Sequence, residues 1–432
     1  MGSQVKPRLL RCGGQNRERF VDGRPIAADN TKHPAAVAEA TPKRKAGLRK
    51  GSQVDKASAT VRFGIIGGGH RGVGTSRGDS FARALAVVGA TVTAFYDIVE
   101  ENARRAADAV PGARPFTDWE AFLDSGIEAA VIASPVNCHA EQAVACLGRG
   151  LHVLSEVTAA SNLEDARKLV EAARRSSARY MLAENYRYLD EVELVRRLQE
   201  ASRFGEVYFA EGAYIHDCKD LWRNRDGSLT WRGKGLLGVY CTHSLGPVLY
   251  LLEDRVASVS SLANPGELYD PDVHQQGNHV MLMRTVKGRT VLVRVDHLSS
   301  RPHDMLYYSL QGNRGAYRAT RAESRQALVW LADEHEPSRV GGGCSWHPLW
   351  DYAGKYIPER LAVGPEARRG GHGTSEYWML LDFLKSIREG TTPPIDVHAA
   401  LDYTLPGILA AQSATEGGTM LAVPDSREWA KG

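Results

Sequence analysis

The feature that most constrains this chain is a glycine-rich turn placed directly between an apolar segment and a helical one. Val61 to Ile66 is an apolar run typical of a buried strand, and a helical pattern (SFARALAVVG) begins shortly after the turn. The turn itself reads Gly67-Gly68-Gly69-His70-Arg71-Gly72. Glycine allows backbone conformations that side chains forbid, and it lets the backbone approach a ligand closely. The order predicts a strand–turn–helix unit.

The alternation of strand and helix then continues to about Tyr188. Buried strands are predicted at TVTAFYD, EAAVIASP, LHVLSEV and RYMLAEN, each separated from the next by a helical pattern. Such alternation is typical of a parallel sheet with right-handed crossovers. After Tyr188 the pattern changes to strands with hairpin-like turns, which predict a mainly antiparallel open sheet flanked by helices. The fold class is therefore α/β followed by α+β.

These patterns divide the chain into three predicted parts. Residues 1–60 form a disordered basic leader, residues 61–188 a Rossmann domain and residues 189–432 a substrate-binding α/β domain. We expect the helical pattern at 375–389 to pack on the open sheet, and residues 325–373 to be long loops near the site. The open sheet also offers a face for a homo-oligomer.

A carboxylate supports a dinucleotide as the ligand of the glycine turn. Asp97 ends the second strand, at the distance from the turn where a carboxylate holds the 2′-hydroxyl of a ribose. A 2′-phosphate would meet its negative charge, so Asp97 favours NAD over NADP. The alternative is a glycine turn without a ligand. The predicted cofactor contacts in the turn are Gly67, Gly69, His70, Arg71 and Gly72.

Other polar residues follow the later strands of the predicted sheet. Pro135 stops one strand, and Asn137 or His139 behind it would reach the cofactor, or simply cap the next helix. Glu156 ends another strand, where an unpaired carboxylate would be costly, so we expect it to contact the nicotinamide ribose or the substrate. Asn185, in the AENYRY motif after the next strand, is a further cofactor candidate. All lie at the carboxyl edge of the sheet, where such folds bind dinucleotides.

Composition argues for a small molecule as the partner. The net charge is only +3, which gives no electrostatic footprint for nucleic acid. The six cysteines have no metal-ligand spacing, and no apolar run is long enough to predict a membrane span. The basic N-terminus lacks the apolar region of a secretory signal, so the expected compartment is the cytoplasm. No metal site is predicted.

The motifs in this order resemble the Gfo/Idh/MocA oxidoreductase family, named for glucose–fructose oxidoreductase and inositol dehydrogenase. The resemblance runs from about Val61 to Pro424. Most dehydrogenases of that family carry Glu-Lys-Pro where this chain has Glu156-Val157-Thr158, and their lysine helps proton transfer at the substrate hydroxyl. Val157 cannot ionise, so the chain departs from them at a functional position.

Loss of that lysine resembles the NAD-dependent glycosidases of the same superfamily, whose motif is Glu-Val-Pro-Ala-Ala. The Arg71-Gly72-Val73-Gly74 turn, the segment GVYCTHSLGP from Gly238 to Pro247, and the Gly371-His372-Gly373 turn are also similar to those enzymes. The nearest resemblance is to the α-N-acetylgalactosaminidases of glycoside hydrolase family 109. Thr158 departs from the family's proline, and loops 214–235 and 320–370 look unrelated. The identity of the sugar therefore does not carry over.

The resemblance implies a glycosidase reaction that uses NAD without consuming it. The C3 hydroxyl of the sugar is oxidised transiently, the acidified C2 proton is removed, the group at C1 is eliminated, and water adds. In this scheme His243 takes the C3 hydroxyl proton beside Tyr240, Tyr188 removes the C2 proton, and Glu156 orients hydroxyls. Spacing alone places Tyr240 and His243 on one face of a helix or turn, although a helix-cap histidine and a buried aromatic fit as well.

Two other functions fit the same fold. A plain NAD-dependent sugar or polyol dehydrogenase would release NADH and would need a proton acceptor where Val157 stands. A non-catalytic NAD-binding regulator would lack the Tyr240–His243 pair, which is present. The sequence therefore favours a glycosidase acting on a small-molecule glycoside, within carbohydrate metabolism.

Overall fold

A computed structural model of the protein describes residues 60–69, 76–224, 226–235, 237–320, 326–335 and 345–431. Its strands are β1 Arg62–Ile66, β2 Thr91–Tyr96, β3 Arg114–Phe116, β4 Ala129–Ile132, β5 His152–Ser155, β6 Tyr180–Leu182, β7 Val207–Ile215, β8 Val256–Pro265, β9 Gln276–Thr285, β10 Thr290–Asp296, β11 Asp304–Gly312, β12 Gly315–Arg318, β13 Leu328–Leu331, β14 His347–Pro348 and β15 Leu421–Ala422. Its α-helices are α1 Arg77–Val87, α2 Glu100–Asp108, α3 Trp119–Leu123, α4 His139–Gly148, α5 Leu163–Arg175, α6 Asp190–Glu200, α7 Trp231–Lys234, α8 Thr242–Leu252, α9 Ala353–Tyr356, α10 Pro358–Leu361, α11 Thr374–Glu389 and α12 Val397–Thr415.

The first sheet is parallel and has the strand order β3-β2-β1-β4-β5-β6. Its central strands are buried on both faces, because helices cover both sides of such a sheet. The strand order reverses between β1 and β4, and dinucleotides bind in the crevice at that point. The predicted Rossmann sheet is confirmed.

The second sheet has the order β14-β13-β12-β11-β7-β10-β9-β8-β15. Neighbouring strands are antiparallel except β7 and β10, which run parallel. Along β9 every second residue is buried, so one face of the sheet lies in the core and the other does not. The predicted antiparallel open sheet is confirmed.

The helix predicted at 375–389 is present as α11, but its predicted packing on the open sheet is wrong. Phe383 of α11 contacts the ring of Phe63 on β1 edge-on, with 6.2 Å between ring centroids, so α11 packs on the parallel sheet. The open sheet is instead covered by α12, whose Ser413 accepts a hydrogen bond of 2.9 Å from the backbone N–H of Ser261 on β8. Periodicity reveals an apolar face without saying which sheet it meets.

The segment predicted as long loops is more ordered than expected. Leu328–Leu331 and His347–Pro348 form β13 and β14, which extend the open sheet at one edge. The predicted leader, apart from residue 60, lies outside the described residues. Within the part of the chain that the structure describes, no helix is long and apolar enough to cross a membrane.

Candidate active site

The glycine turn leaves β1 in a conformation that only glycine tolerates. Gly67 has a φ of 100°, and a Cβ there would lie 2.6 Å from the carbonyl oxygen of Ala133, which follows β4. A Cβ on Gly69 would meet only ordinary contacts at 3.4 Å, so the space beside it is open on the protein's side. The predicted contacts His70, Arg71 and Gly72 lie outside the described residues.

Asp97 lies next to this turn at the end of β2. Its Oδ1 accepts hydrogen bonds from the backbone N–H of Val99 at 2.9 Å and from the Asn102 side chain at 3.3 Å. Its Oδ2 faces Gly69, at 3.4 Å from the position a Cβ would take there. One carboxylate oxygen is thus held by the protein while the other faces the turn, which is the geometry required to accept a ribose hydroxyl.

The residues after β4 divide into an exposed pair and a buried histidine. Pro135 is partly exposed and Asn137 is exposed at the carboxyl edge, so both are accessible to a cofactor. His139 is buried, and its two ring nitrogens lie 2.9 Å from the carbonyl oxygen of Thr158 and 2.8 Å from that of Ser134. Both ring nitrogens are thus used by backbone carbonyl groups of the protein. His139 therefore has a structural role and does not contact the cofactor.

Glu156, at the end of β5, is held by an arginine that the sequence did not single out. Arg77, the first residue of α1, donates from Nε to Glu156 Oε1 at 2.6 Å, and the backbone N–H of Val157 donates to Oε2 at 3.0 Å. Burial opposes the charged form of Glu156, but the adjacent Arg77 and His372 lower its pKa. Glu156 is therefore a fixed anion at the carboxyl edge.

Arg77 also reaches the Gly371-His372-Gly373 turn that precedes α11. Its Nη1 donates to Glu376 Oε1 at 2.5 Å and lies 3.1 Å from His372 Nδ1. Glu376 is fully buried, and burial would raise its pKa, yet the hydrogen bond from His372 and the charge of Arg77 hold that pKa at about 2. One arginine thus joins the start of α1, the end of β5 and the turn before α11.

His243, on α8, forms a buried pair with Glu184 from the end of β6. Its Nδ1 lies 2.9 Å from Glu184 Oε1. A carboxylate only accepts, so Nδ1 carries a proton, and in the singly protonated tautomer Nε2 has the free lone pair. A Cβ on Gly246 would lie 2.5 Å from Glu184 Cγ, so the glycine makes room for the carboxylate. The pair has the geometry of an oriented general base.

Aromatic rings surround His243 on several sides. Tyr186 stacks on it with 4.3 Å between centroids, and Tyr214 of β7 lies 5.1 Å away. Tyr240 lies 6.1 Å away, and the buried His297 lies 5.6 Å from Tyr240. Burial raises the pKa of Tyr186 and of Tyr214, so both phenols stay protonated and serve as hydrogen-bond donors.

Tyr240 differs from its neighbours in having a cationic partner. Its hydroxyl oxygen accepts a hydrogen bond of 3.2 Å from Nη1 of Arg232, and its side chain is only partly buried. A guanidinium donating to a phenol oxygen stabilises negative charge there. Tyr240 and His243 do share one side of the site, as their spacing predicts.

The structure does not bring Tyr188 into this ring cluster. Tyr188 is buried, and its pKa is raised by burial, with Arg187, Asp382 and Tyr250 as its charged or ionisable neighbours. None of these neighbours belongs to the ring cluster, so this protonated phenol is not placed as a base for a sugar bound at His243. Asn185, buried beside it, has a side-chain nitrogen without a hydrogen-bond partner among the described residues.

Several residues of the site were missed in the sequence. Tyr186 lies inside the AENYRY motif and His372 inside the Gly371-His372-Gly373 turn, so the sequence carries a local signal for both. Arg77, Tyr214 and Arg232 carry no local signal, because only the fold brings them to β5 and α8. Among the described residues, no group of three His, Cys, Asp or Glu side chains fits a metal ion.

Comparison with solved structures shows the same fold in two dehydrogenase-type proteins. A levoglucosan dehydrogenase in complex with NADH and L-sorbose has a TM-score of 0.69 and 21% identity, covering 85% of this chain and 100% of its own. An inositol dehydrogenase homolog complexed with NAD+ from Azotobacter vinelandii has a TM-score of 0.67 and 19% identity, covering 84% of this chain and 97% of its own. These similarities establish the fold.

Sequence comparison is more specific. Residues 61–184 match the model of an oxidoreductase family with an NAD-binding Rossmann fold, and residues 271–431 match that of the glycosyl hydrolase 109 C-terminal domain. A glycosyl hydrolase family 109 protein of Streptomyces filamentosus is 30% identical over 92% of this chain and 84% of its own length. One from Solibacter usitatus is 28% identical over 86% and 89%. NAD as the cofactor is confirmed, and the chain belongs to glycosyl hydrolase family 109.

Proposed function

We propose that this enzyme hydrolyses a glycoside by transient oxidation at C3 of the sugar, elimination across C1 and C2, and addition of water. The observation that carries the proposal is the Glu184–His243 pair, with the free Nε2 of an oriented imidazole beside the carboxyl edge of the parallel sheet. Val157 supports it, because its buried, non-ionisable side chain stands where related dehydrogenases have their lysine.

The cofactor site fits NAD on the geometry of three residues. Gly67 makes the turn, Gly69 leaves open space for a pyrophosphate, and Asp97 Oδ2 faces that space. When bound, NAD supplies the electron acceptor for the sugar's C3 and gives the electrons back at the end of the cycle. Pro135 and Asn137 stand at the same edge for further contacts with it.

His243 acts first in this proposal. Its Nε2 accepts the proton of the C3 hydroxyl as that carbon is oxidised, and Glu184 stabilises the imidazolium through Nδ1–H. Tyr186 stacks on the ring and keeps its plane fixed. The same imidazolium can return the proton when the ketone is reduced, so no net proton is consumed.

The C2 proton needs a second base, because His243 is already protonated at that stage. We assign this step to Tyr240, whose oxygen receives the Arg232 hydrogen bond, rather than to Tyr188. Tyr240 acts as a phenolate after its own hydroxyl proton has passed to the solvent, and Arg232 donates to that oxygen. As the phenolate takes the C2 proton, the C1–O bond breaks, and the leaving oxygen keeps the electron pair and takes up a proton from the solvent. Water then adds its oxygen at C1 and releases one proton to the solvent, while C2 regains a proton from Tyr240, which returns to the phenolate.

Glu156 completes the site as a fixed acceptor. Arg77 contacts Oε1 with both Nε and Nη2, and the Val157 N–H donates to Oε2, which keeps a second lone pair for a ribose or sugar hydroxyl. The orientation of the sugar relative to the nicotinamide therefore depends on a carboxylate that cannot rotate freely.

A sugar or polyol dehydrogenase is the second candidate, because the Glu184–His243 pair would serve hydroxyl oxidation equally well. Incubation of the purified full-length enzyme with a panel of 4-nitrophenyl glycosides distinguishes the two. We expect released nitrophenol with no accumulation of NADH. Stoichiometric NADH with an intact glycosidic bond would overturn the glycosidase and leave the dehydrogenase.

We also propose that the open sheet carries a homo-oligomer interface. Leu262 on β8 is paired in register with Val280 on β9, and these two and Leu282 are large apolar side chains exposed on the outer face. Leu282→Glu should reduce the molecular mass measured by light scattering, whereas an unchanged mass would refute this interface.

The expected compartment remains the cytoplasm. The four cysteines within the described residues, Cys138, Cys146, Cys218 and Cys241, are free thiols, as a reducing compartment favours. Cell fractionation with an antibody to the protein tests this expectation, together with the assignment to carbohydrate metabolism through growth on the glycoside that it cleaves.

A further inference from the structure

Arg232 is a half-buried cation at the site, and no carboxylate of the described residues is paired with it. Its guanidinium lies over the rings of Trp231 at 4.3 Å and Tyr240 at 5.4 Å, and Nη1 donates to the Tyr240 hydroxyl. The groups that act most strongly on its charge are Tyr240, Cys218 and Tyr214, none of them a carboxylate. Across the described ranges, no Asp or Glu oxygen forms an ion pair with it.

Other arginines of the structure have the carboxylate partners that Arg232 does not have among the described residues. Arg77 is paired with both Glu156 and Glu376. Arg223, on the same loop as Arg232, is paired with Asp270 and Asp272. A guanidinium that is partly withdrawn from water and has no counter-charge is well suited to bind an anion supplied by a ligand.

The groups around Arg232 leave its positive charge without an offsetting anion. Burial, together with the adjacent His303 and Arg232, lowers the pKa of His216 to about 4. The nearby carboxylates are already engaged, since Glu184 accepts from His243 and Asp217 is paired with Lys219 at 2.7 Å. His216 is therefore uncharged near pH 7, and these carboxylates have other partners, so neither offsets the charge of Arg232.

We propose that the substrate is an anionic glycoside whose sugar carries a carboxylate, a glycosiduronic acid, and that Arg232 binds this carboxylate. The proposal rests on the glycosidase function described above. Nη1 holds Tyr240, while Nε and Nη2 make no hydrogen bond to any described residue and form the two-pronged donor that fits a carboxylate. Tyr240 separates Arg232 from His243 by one ring, so the carboxylate lies away from the carbon that is oxidised.

The loop that carries Arg232 supports a role in selectivity. Thr230 caps α7 by accepting from the backbone N–H of Arg232, and Gln275 donates to the Arg232 carbonyl oxygen, so the arginine is held at both backbone ends. This segment lies in residues 214–235, which depart from the related glycosidases in sequence. A substrate difference is expected to arise there.

The test compares matched substrates and matched variants. The full-length enzyme is assayed with 4-nitrophenyl uronides and the corresponding hexosides, which differ only in carboxylate against hydroxymethyl at C6. We expect the wild-type kcat/KM to favour the uronide, and Arg232→Gln to lower that preference about 100-fold, since removing one partner of a buried hydrogen-bonded charge pair has an effect of this order. Arg223→Gln removes the same charge from a paired arginine of the same loop and should leave the preference unchanged.

Binding gives a readout that does not depend on turnover. In the presence of NAD, the free uronic acid should raise the melting temperature of the wild type more than the neutral hexose does, and Arg232→Gln should abolish the difference. Arg232→Lys, which retains the charge without the fork, should restore part of it. Raised salt should weaken binding of the uronic acid alone.

The outcomes separate this inference from the glycosidase itself. Cleavage of hexosides as well as uronides, or an equal loss on both in Arg232→Gln, would overturn the uronide assignment and leave the glycosidase standing. Preference for a 6-phosphate over the uronide would also overturn the carboxylate. Selective binding of the uronic acid without cleavage of any glycoside would support the Arg232 site and refute the glycosidase.

Discussion

The carboxyl edge of the parallel sheet and the ring cluster around His243 are built in opposite ways. At the edge, Gly67, Asp97 and Glu156 each follow a strand directly, and neighbouring strands bring them together. In the cluster, Tyr214 comes from a strand of the second sheet and His243 from a helix after it. The carboxyl edge is formed by short local sequence motifs, whereas the ring cluster depends on contacts between residues far apart in the chain.

The difference also appears in how charge is handled. Glu156 at the edge is neutralised by Arg77 of the protein itself, while Arg232 beside the cluster has no such partner among the described residues. At the cofactor site the protein itself supplies the counter-charge of Glu156. At the substrate site, hydrogen-bond donors of the Arg232 guanidinium have no partner among the described residues, so we expect the substrate to bind them.

The largest expected effect is the loss of kcat in a variant that changes the ring cluster and leaves the carboxyl edge intact. Glu184→Gln removes the anion that holds the Nδ1–H tautomer of His243, and we expect kcat to fall on the order of 10³-fold, as for other histidines that lose their orienting carboxylate. Equilibrium NAD binding should remain within a factor of about two, by the independence of distant sites. An unchanged kcat would remove His243 from the mechanism.

A second variant changes Glu376, which is hydrogen-bonded to Arg77 and His372. The pKa of Glu376 is about 2 in the folded protein against an ordinary value of 4.5, so its charge stabilises the fold above pH about 4.5 and this contribution disappears as the pH falls towards 2. Glu376→Gln should lower the free energy of unfolding at pH 7 by about 3 kcal/mol. Urea unfolding at several pH values should show a flatter dependence between pH 4.5 and 2 in the variant than in the wild type.

A third pair of variants sharpens the account of the edge. Gly69→Val places a side chain in space that the protein leaves open, so NAD affinity should fall about 10- to 100-fold with little change in melting temperature. Gly67→Ala forces a Cβ towards Ala133 at a positive φ, so it should lower the melting temperature as well. Equal melting losses in both variants would mean that Gly69 serves the fold rather than the cofactor.

Much of the edge could be predicted from the sequence because its signals are local. The glycine turn, Asp97 and Glu156 stand at fixed places relative to strands that apolar runs identify. Tyr188 shows the limit, since it lies two residues from Tyr186 in the same motif and yet points to Asp382 rather than to His243. The 3₁₀ turn Asn185–Tyr188 sets these directions, and no periodicity in the sequence reports such a turn.

The smallest expected effect is on deuterium at C2 of the sugar. Its loss to the solvent tests which tyrosine removes the C2 proton. A C2-deuterated glycoside hydrolysed in light water should lose deuterium to the solvent or show a primary isotope effect, because the C2–H bond breaks during elimination. Tyr240→Phe should prevent loss of the label while a C3-deuterated substrate still transfers its deuterium, since Tyr240 acts after oxidation. Tyr188→Phe removes the same hydroxyl group from a tyrosine whose neighbours lie outside the ring cluster, so its label loss should match the wild type. If Tyr188→Phe blocked the exchange and Tyr240→Phe did not, the base would be the tyrosine that the family resemblance indicates. The phenol of Tyr188 would then have to leave the surroundings of Asp382 during turnover.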